Sequence, residues 1–447
     1  MRTSPIVWLL ITCAPWAGAQ LPDQAPSPTM DPATRELVQK LLSRIDILEK
    51  RVSELEQNAP TRAAAPSSAA AAVVPALPSA PPATAKPRIM DHDQAPSPEA
   101  SQPTYPTLKI SGFGDVDYSA TDLRGTPAGF QPLTLLGAPG GFELGQFVLQ
   151  LSSALSPKVS VFGELSLTAR SDAGTGTPPA PGFNFELERL VVRYDLNDYF
   201  KLSFGRYHTP INYWNTAYHH GSWLQTSISR PEMVQFGGSF LPVHFVGALV
   251  EGAIPAGGLN LNYDLGIGNG RGRVISRDGD FGDVNHGRAW LANLFVKPDF
   301  LYGLQVGGSV YRDKLNPVGV PGATEWIRSA HIAWQRETPE FIAEFADVTH
   351  ESLLGGVTSH SQAAYAQTAY RLPAQLKLWK PYYRFEYIHI PLSDEIFRGI
   401  VPSFSASTVG VRYDIASFAA FKFEYRHYIR PNLPTFNGFF AQTSFTF

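Results

Sequence analysis

Beyond Leu108 the chain is written in stretches of roughly ten residues whose apolar and polar side chains alternate, the period of a strand and not of a helix. Lys109, Ser111, Phe113, Asp115 and Asp117 oppose Leu108, Ile110, Gly112, Gly114 and Val116. Further on, Val159, Val161, Leu165 and Leu167 oppose Ser160, Glu164, Ser166 and Thr168, and Phe421, Phe423 and Tyr425 oppose Lys422, Glu424, Arg426 and Arg430. Each strand therefore has one greasy and one charged face. A sandwich of sheets would turn the greasy faces inward and the charges out. A barrel in a membrane does the reverse, because a lipid-facing charge near the midplane costs about 2–4 kcal/mol. Composition favours the barrel: 17% of residues are charged, against roughly 25% in soluble domains, while 12% are aromatic. The net charge of −3 gives no basic field for nucleic acid.

The connections sharpen this. Short turns fall at 155–158, 195–200, 298–303, 336–340, 372–375 and 415–420. Longer polar or Gly-rich loops fall at 121–141, 171–183, 206–243, 269–286, 313–324, 349–361, 391–406 and 431–437. Such alternation is that of a transmembrane barrel with short turns on one side and long loops on the other. With both ends on the turn side, the strand number must be even. Seventeen stretches alternate, and the one that parity removes is Met233–Phe240, which then belongs to one long insertion after Gly205. The expectation is an all-β, antiparallel transmembrane β-barrel of about 16 strands, wide enough for an aqueous channel.

The chain ends on Phe447, with Phe439, Ala441, Thr443 and Phe445 on the same face of a strand and Phe440, Gln442, Ser444 and Thr446 on the other. This tail resembles the C-terminal strand of bacterial outer-membrane barrels. The resemblance implies that Phe445 and Phe447 are read by the barrel-assembly machinery, and that the barrel lies among outer-membrane lipid. Closure requires this strand to pair with the first, near 108–119, since a membrane tolerates no open sheet edge.

Ahead of the barrel, 107–447, three segments differ in composition. Residues 1–19 read as a signal peptide: Arg2, an apolar run from Ile6 to Cys13, and Ala17-Gly18-Ala19 as the cleavage site. That run is too short to span a membrane, and it holds the chain's one cysteine, which leaves no disulfide framework. Residues 20–58 form a periplasmic segment whose stretch 35–58 carries heptads: Val38, Ile45 and Val52 at one core position, Leu41, Leu48 and Leu55 at the other. β-Branched residues alternating with Leu favour a dimer, whereas Arg44-Ile45-Asp46-Ile47-Leu48-Glu49 resembles the signature of short trimeric coiled coils; a homotrimer is the preferred reading. Residues 59–106, rich in Pro, Ala and Ser, cannot bury enough surface to fold and read as a disordered linker in the periplasm. Such a tether would permit a contact with peptidoglycan.

Function is sought on the inward face. By phase it carries Arg193, Arg206, Arg384, Arg412, Lys422 and Arg426 together with Asp115, Glu164, Asp264, Glu386, Asp414 and Glu424. The long third loop, 206–243, adds His219, His220 and Arg230 among Tyr213, Trp214, Tyr218 and Trp223, and is expected to constrict the channel. Charges at close quarters set selectivity in such a pore, and these are candidates for its lining. No carboxylate or cysteine cluster accompanies His219-His220, so no metal is expected. No cofactor is expected either. The enzyme patterns G-x-S-x-G, H-E-x-x-H and the P-loop are absent from the sequence, and Gly266-Ile267-Gly268-Asn269-Gly270 ends a strand instead of opening a helix.

Leu202-Ser203-Phe204-Gly205-Arg206-Tyr207-His208-Thr209-Pro210 and Tyr263-Asp264-Leu265-Gly266-Ile267-Gly268-Asn269-Gly270 resemble a strand entering the third loop and a strand end of the phosphate-selective porin O/P family. That resemblance implies an outer-membrane porin for passive diffusion of small hydrophilic solutes or ions, with an anion bias. The family's lysine cluster has no counterpart here, so porin is better supported than phosphate. A coiled coil before the barrel also resembles certain sugar-specific porins, which keeps a saccharide open. The alternative is a structural barrel tying the outer membrane to the cell wall, with little conductance.

Overall fold

In a computed structural model, the described residues are 105–122, 140–169, 182–218, 221–235, 239–276, 279–431 and 434–447, with Ser43 and Lys50 upstream. The coiled coil expected over 35–58 lies outside them, apart from Ser43 and Lys50, each helical. The signal peptide and the linker up to residue 104 also lie outside, as do His219 and His220.

The strands are β1 (Lys109–Thr121), β2 (Gly141–Ala154), β3 (Val159–Ala169), β4 (Phe183–Asn197), β5 (Phe200–His208), β6 (His244–Ile254), β7 (Leu261–Asn269) and β8 (Ala289–Val296). They continue with β9 (Leu304–Leu315), β10 (Ala323–Gln335), β11 (Glu340–Ser352), β12 (Thr358–Ala369), β13 (Trp379–His389), β14 (Phe404–Ala416), β15 (Ala419–Ile429) and β16 (Phe436–Thr446). Each pairs antiparallel with its sequence neighbours, and β16 returns to β1 to close a 16-strand barrel. Among the described residues of Met233–Phe240 there is no strand, and a 3-10 turn, Glu232–Val234, overlaps its start inside the long third loop, as parity requires. β7 begins at Leu261, just after Asn260, which takes a positive φ of 47° and donates to Lys297 O and Asp299 Oδ1 across the turn.

The closing seam has a specific packing. β1 and β16 pair from Phe113↔Thr446 to Thr121↔Gly438, and the Phe447 amide donates to Gly112 O at 3.1 Å. On the outer face β1 offers Gly112 and Gly114, and the rings of Phe447 and Phe445 lie over the space their missing side chains leave. The Phe447 ring also stacks on Phe147 of β2, centroids 5.7 Å apart. Aromatic rings laid over strand glycines restore packing where the glycine itself has none.

Outward residues follow the apolar phase. Phe204, Leu265, Phe385, Val409, Phe423 and Phe439 are each about half exposed, as lipid-facing side chains are in an isolated barrel. The inward face is less wet than alternation implies. Trp214, Phe240, Leu241, Phe397, Phe404, Tyr428 and Phe436 form a buried apolar core inside the barrel, built from the third and seventh long loops against the strands.

Replacing Gly114 tests the seam. A Cβ there would sit 2.6 Å from Phe445 Cζ, so Gly114→Val is expected to lower the stability of the refolded barrel by about 1–3 kcal/mol, read as a lower midpoint in its heat-dependent gel shift. Gly163→Val, at an open outward position, is expected to leave the midpoint within error; equal losses at both sites would contradict the seam packing.

Candidate functional site in the barrel lumen

The loop joining β5 to β6, 209–243, folds into the barrel and is fastened to the opposite strands. It leaves β5 through Pro210 and turns at Asn212, whose φ is 62°. It then makes one short helix, α1 (Trp214–Tyr218). The first amides of a helix have no partner within it, and a carboxylate there satisfies them and complements their partial positive charge. Glu344 of β11 does this, accepting from the Tyr213 and Trp214 amides at 2.9 and 2.6 Å. Trp214 is fully buried, edge-on to Tyr218 and Tyr365 at 5.0 and 5.8 Å between centroids.

Past α1 the loop is held from both sides of the charge scale. Lys422 of β15 donates to Ser222 O and, at 3.2 Å, to Ser227 O. Arg412 of β14 donates to Trp223 O and Gln225 O at 2.6 and 3.1 Å and lies over the Trp223 ring. Arg384 of β13 donates to Ser227 Oγ and Ser229 O. Glu424 of β15 accepts from the Ile228 and Ser229 amides at 2.9 and 3.2 Å, from Ser229 Oγ at 2.6 Å and from Tyr382 OH at 2.7 Å. Glu386 accepts from the Glu232 amide at 2.7 Å, and Glu340 from Thr226 Oγ1 at 2.9 Å. The lost hydration of the loop's backbone is thus replaced group by group, as burial of polar groups demands.

A third fastening closes the side where the long loops lie. Arg271, in the fourth long loop, donates to Phe240 O at 2.6 Å and to Glu325 at 3.0 Å. Glu325 contacts His350, which contacts Asp394 of the seventh loop at 2.9 Å. Asp394 in turn accepts from Ser361 Oγ and the Ile396 and Phe397 amides. Burial alone would push the Asp394 carboxyl up, but His350, Ser361 and the backbone bond outweigh it and hold it below the usual carboxylate range. The Asp394 carboxylate therefore keeps its charge in mild acid and loses it as pH falls through that lowered value.

The inward phase of the sequence-derived candidates holds for most of them, but their ends are engaged. Arg384, Lys422, Glu386 and Glu424 hold the loop instead of lining open water, and Arg412 holds the loop while bordering a space toward the short turns. Arg426 pairs with Glu424 and lies over Phe440, 3.7 Å from its centroid. Glu164 is fully buried, bound by Gln150 and Arg189 at 2.7 Å each. Arg193 pairs with Asp195 and Glu251 at 2.6 and 3.2 Å. Arg206 reaches Asp280 of the fourth loop at 2.8 Å and also Glu186 and Glu188. Asp115 is buried against Gly145, where any side chain would collide with its carboxylate. Arg230 is buried within the loop. Asp264 and Asp414 each face a sizeable cavity, Asp264 bound by Asn293 at 2.8 Å and Asp414 by Arg412 at 2.7 Å.

Two spaces, each large enough for many waters, lie beside the loop. One of about 560 Å³ is lined by Lys201, Glu251, Asn262, Asp264, Asn293 and Lys297. The other, about 540 Å³, lies toward the short turns and is lined by Glu337, Glu340, Arg371, Lys380, Arg412 and Asp414. Both signs of charge meet in each. Among the described residues no group of three or more His, Cys, Asp or Glu is placed to hold a metal ion.

No protein-family model and no curated protein matches the chain. Solved structures do. OmpF of Salmonella typhi in complex with daunomycin is 11% identical with a TM-score of 0.52 over 76% of this chain and 97% of that one. The outer membrane channel DcaP of Acinetobacter baumannii is 11% identical with a TM-score of 0.50, over 76% and 97%. The trimer form of OmpT, an outer membrane protein of Vibrio cholerae, is 13% identical with a TM-score of 0.50, over 76% and 99%. At this identity the likeness is one of fold, a porin-type barrel, and it does not single out the phosphate-selective porin O/P family.

Glu424→Gln tests the fastening. A hydrogen bond to a charged group contributes about 1.5–3 kcal/mol, and Glu424 holds several, so the folded variant is expected to be cut within 221–235 by added protease at least tenfold faster than the parent. Equal resistance would mean that the loop is held without it.

Proposed function

We propose that the chain is an outer-membrane porin that passes small hydrophilic solutes or ions by passive diffusion, constricted by the infolded third loop, and that it has no catalytic role. The observation that carries this reading is the loop itself: a closed barrel with a charged inner face, across which one loop is held by ionic groups of β11 and β13–β15 while polar spaces persist beside it. A barrel serving only as an anchor has no need of so many buried charges at a single loop. Because Arg384, Arg412 and Lys422 are occupied by loop carbonyls, the charges left to meet solute are chiefly Lys201, Lys297, Asp198, Glu251 and Asp264 in one space and Lys380, Arg371, Glu337 and Asp414 in the other. Their balance favours weak selectivity over a strong anion bias.

The remaining parts of the reading follow from the sequence. A periplasmic coiled coil on a Pro/Ala-rich tether would join the chains as a homotrimer, in keeping with the trimer form of the Vibrio cholerae protein of like fold. The C-terminal strand would serve the barrel-assembly machinery, and the tether would reach peptidoglycan. The second reading, a structural barrel with a closed lumen, draws on the deep burial of Glu164, Lys422 and Arg384.

Planar-bilayer recording separates the two. The refolded chain is expected to give stepwise conductance with a reversal potential near zero in a salt gradient, and Glu424→Gln with Lys422→Met is expected to raise the step at least twofold by freeing the loop. Absence of steps from a folded barrel would favour the structural reading.

A further inference from the structure

The barrel closes between β16 and β1, and the inner side of that seam is acidic. Asp115 and Asp117 lie on β1, with Ser444 and Gln442 of β16 as their respective cross-strand partners. All four side chains are buried, at 5% exposure or less. On its other edge β1 pairs with β2 through a bulge, in which Asp115 is opposed by Gly145 and Gln146 together. A bulge re-aims a side chain, and here both carboxylates come to lie over Gly145. A Cβ at that glycine would collide with Asp115 Oδ2 and lie 3.0 Å from Asp117 Oδ2. The two oxygens are therefore neighbours.

Such a pair needs positive charge beside it. Adjacent carboxylates repel, and a buried charge is tolerated when it is paired or holds a metal. Lys422, the cross-strand partner of Gln442, is near enough for its charge to bear on both acids. Its ammonium, however, donates to Ser222 O and Ser227 O of the third loop. Glu143 of β2, opposite Asp117, adds further negative charge. One ammonium already engaged thus faces two carboxylates and an acidic neighbour. The neutral groups point the same way. Gln442 Nε2 donates to Asp117 Oδ1 at 2.9 Å. Gln442 Oε1 and Ser444 Oγ, buried next to the carboxylates, have no hydrogen-bond partner. A buried polar atom left in that state is costly, and a cation would engage both of them.

We infer that Asp115, Asp117, Gln442 and Ser444 hold a calcium ion on the inner face of the seam. Calcium accepts an irregular shell of about six to eight oxygens, whereas magnesium demands a near-ideal octahedron and gives up its water reluctantly. Two carboxylates, an amide oxygen and a hydroxyl in a buried place, completed by water, suit calcium. The charge comes from the two carboxylates and the rest of the shell from neutral oxygens, so the site does not require a third ionisable ligand. The ion ties the last strand to the first. It does so whether or not the lumen conducts.

The test is equilibrium dialysis of the full-length chain, refolded in a nonionic detergent at constant pH, against ~1 mM calcium, a concentration at which extracellular calcium modules bind. The parent is expected to hold about one calcium per chain more than Asp115→Asn or Asp117→Asn. Calcium should also raise the midpoint of the parent's heat-dependent gel shift, because a ligand of the folded state stabilises it, and leave the midpoints of both Asn variants unmoved. Ser444→Ala removes one neutral oxygen and no charge. It is expected to weaken binding, and it decides the matter if an Asn variant fails to fold. Magnesium is expected to bind about tenfold more weakly. A folded parent that binds no calcium would overturn the site, leaving the acids to share a proton or water. So would equal binding by the parent and all folded variants, or magnesium bound as tightly as calcium.

Discussion

Glu424 accepts two loop amides, a serine hydroxyl and a tyrosine hydroxyl, and pairs with Arg426, all inside a barrel where almost none of it meets solvent. A buried charge is tolerable only when its lone pairs are filled and an opposite charge stands near. Here that requirement couples the strands to the loop. The barrel needs the loop's donors to satisfy its inward acids, and the loop needs those acids, with Arg384, Arg412 and Lys422, to satisfy its own backbone. Neither is well solvated without the other, so loop and lumen form one polar core with an apolar one beside it.

The barrel was largely legible in the sequence because its constraints are local and repeated. Period-two alternation gives each strand's faces, and alternating connection lengths give the order. Parity then removes Met233–Phe240, which the structure places in the loop. The tail's glycine partners were less evident: that Phe445 and Phe447 cover Gly114 and Gly112 depends on the closing register, which no single strand encodes. Phase likewise gave the inward direction of Lys422 or Glu386 but not what their ends would meet. The partners lie 154 to 200 residues away along the chain, in a loop with no period of its own. Glu344, Glu340 and the Arg271–Glu325–His350–Asp394 chain were missed for the same reason. Glu340, Glu344 and His350 do share the inward phase of β11, and that recurrence of ionisable groups on one strand face was the available signal.

Counting lumen charges is therefore a poor guide to what such a channel would select. Arginines and lysines that phase assigns to the pore are mostly engaged with carbonyls of the loop, and the groups left beside the two remaining spaces are of both signs.

The central claim is that the third loop is part of the folded lumen, and amide hydrogen exchange of the intact refolded protein tests it most directly. If Glu344 and Glu424 hold the loop, the Tyr213, Trp214, Ile228 and Ser229 amides should exchange as slowly as those of β13–β15 strand interiors. Exchange of these four at the rate of a free loop, while the strands stay protected, would contradict it.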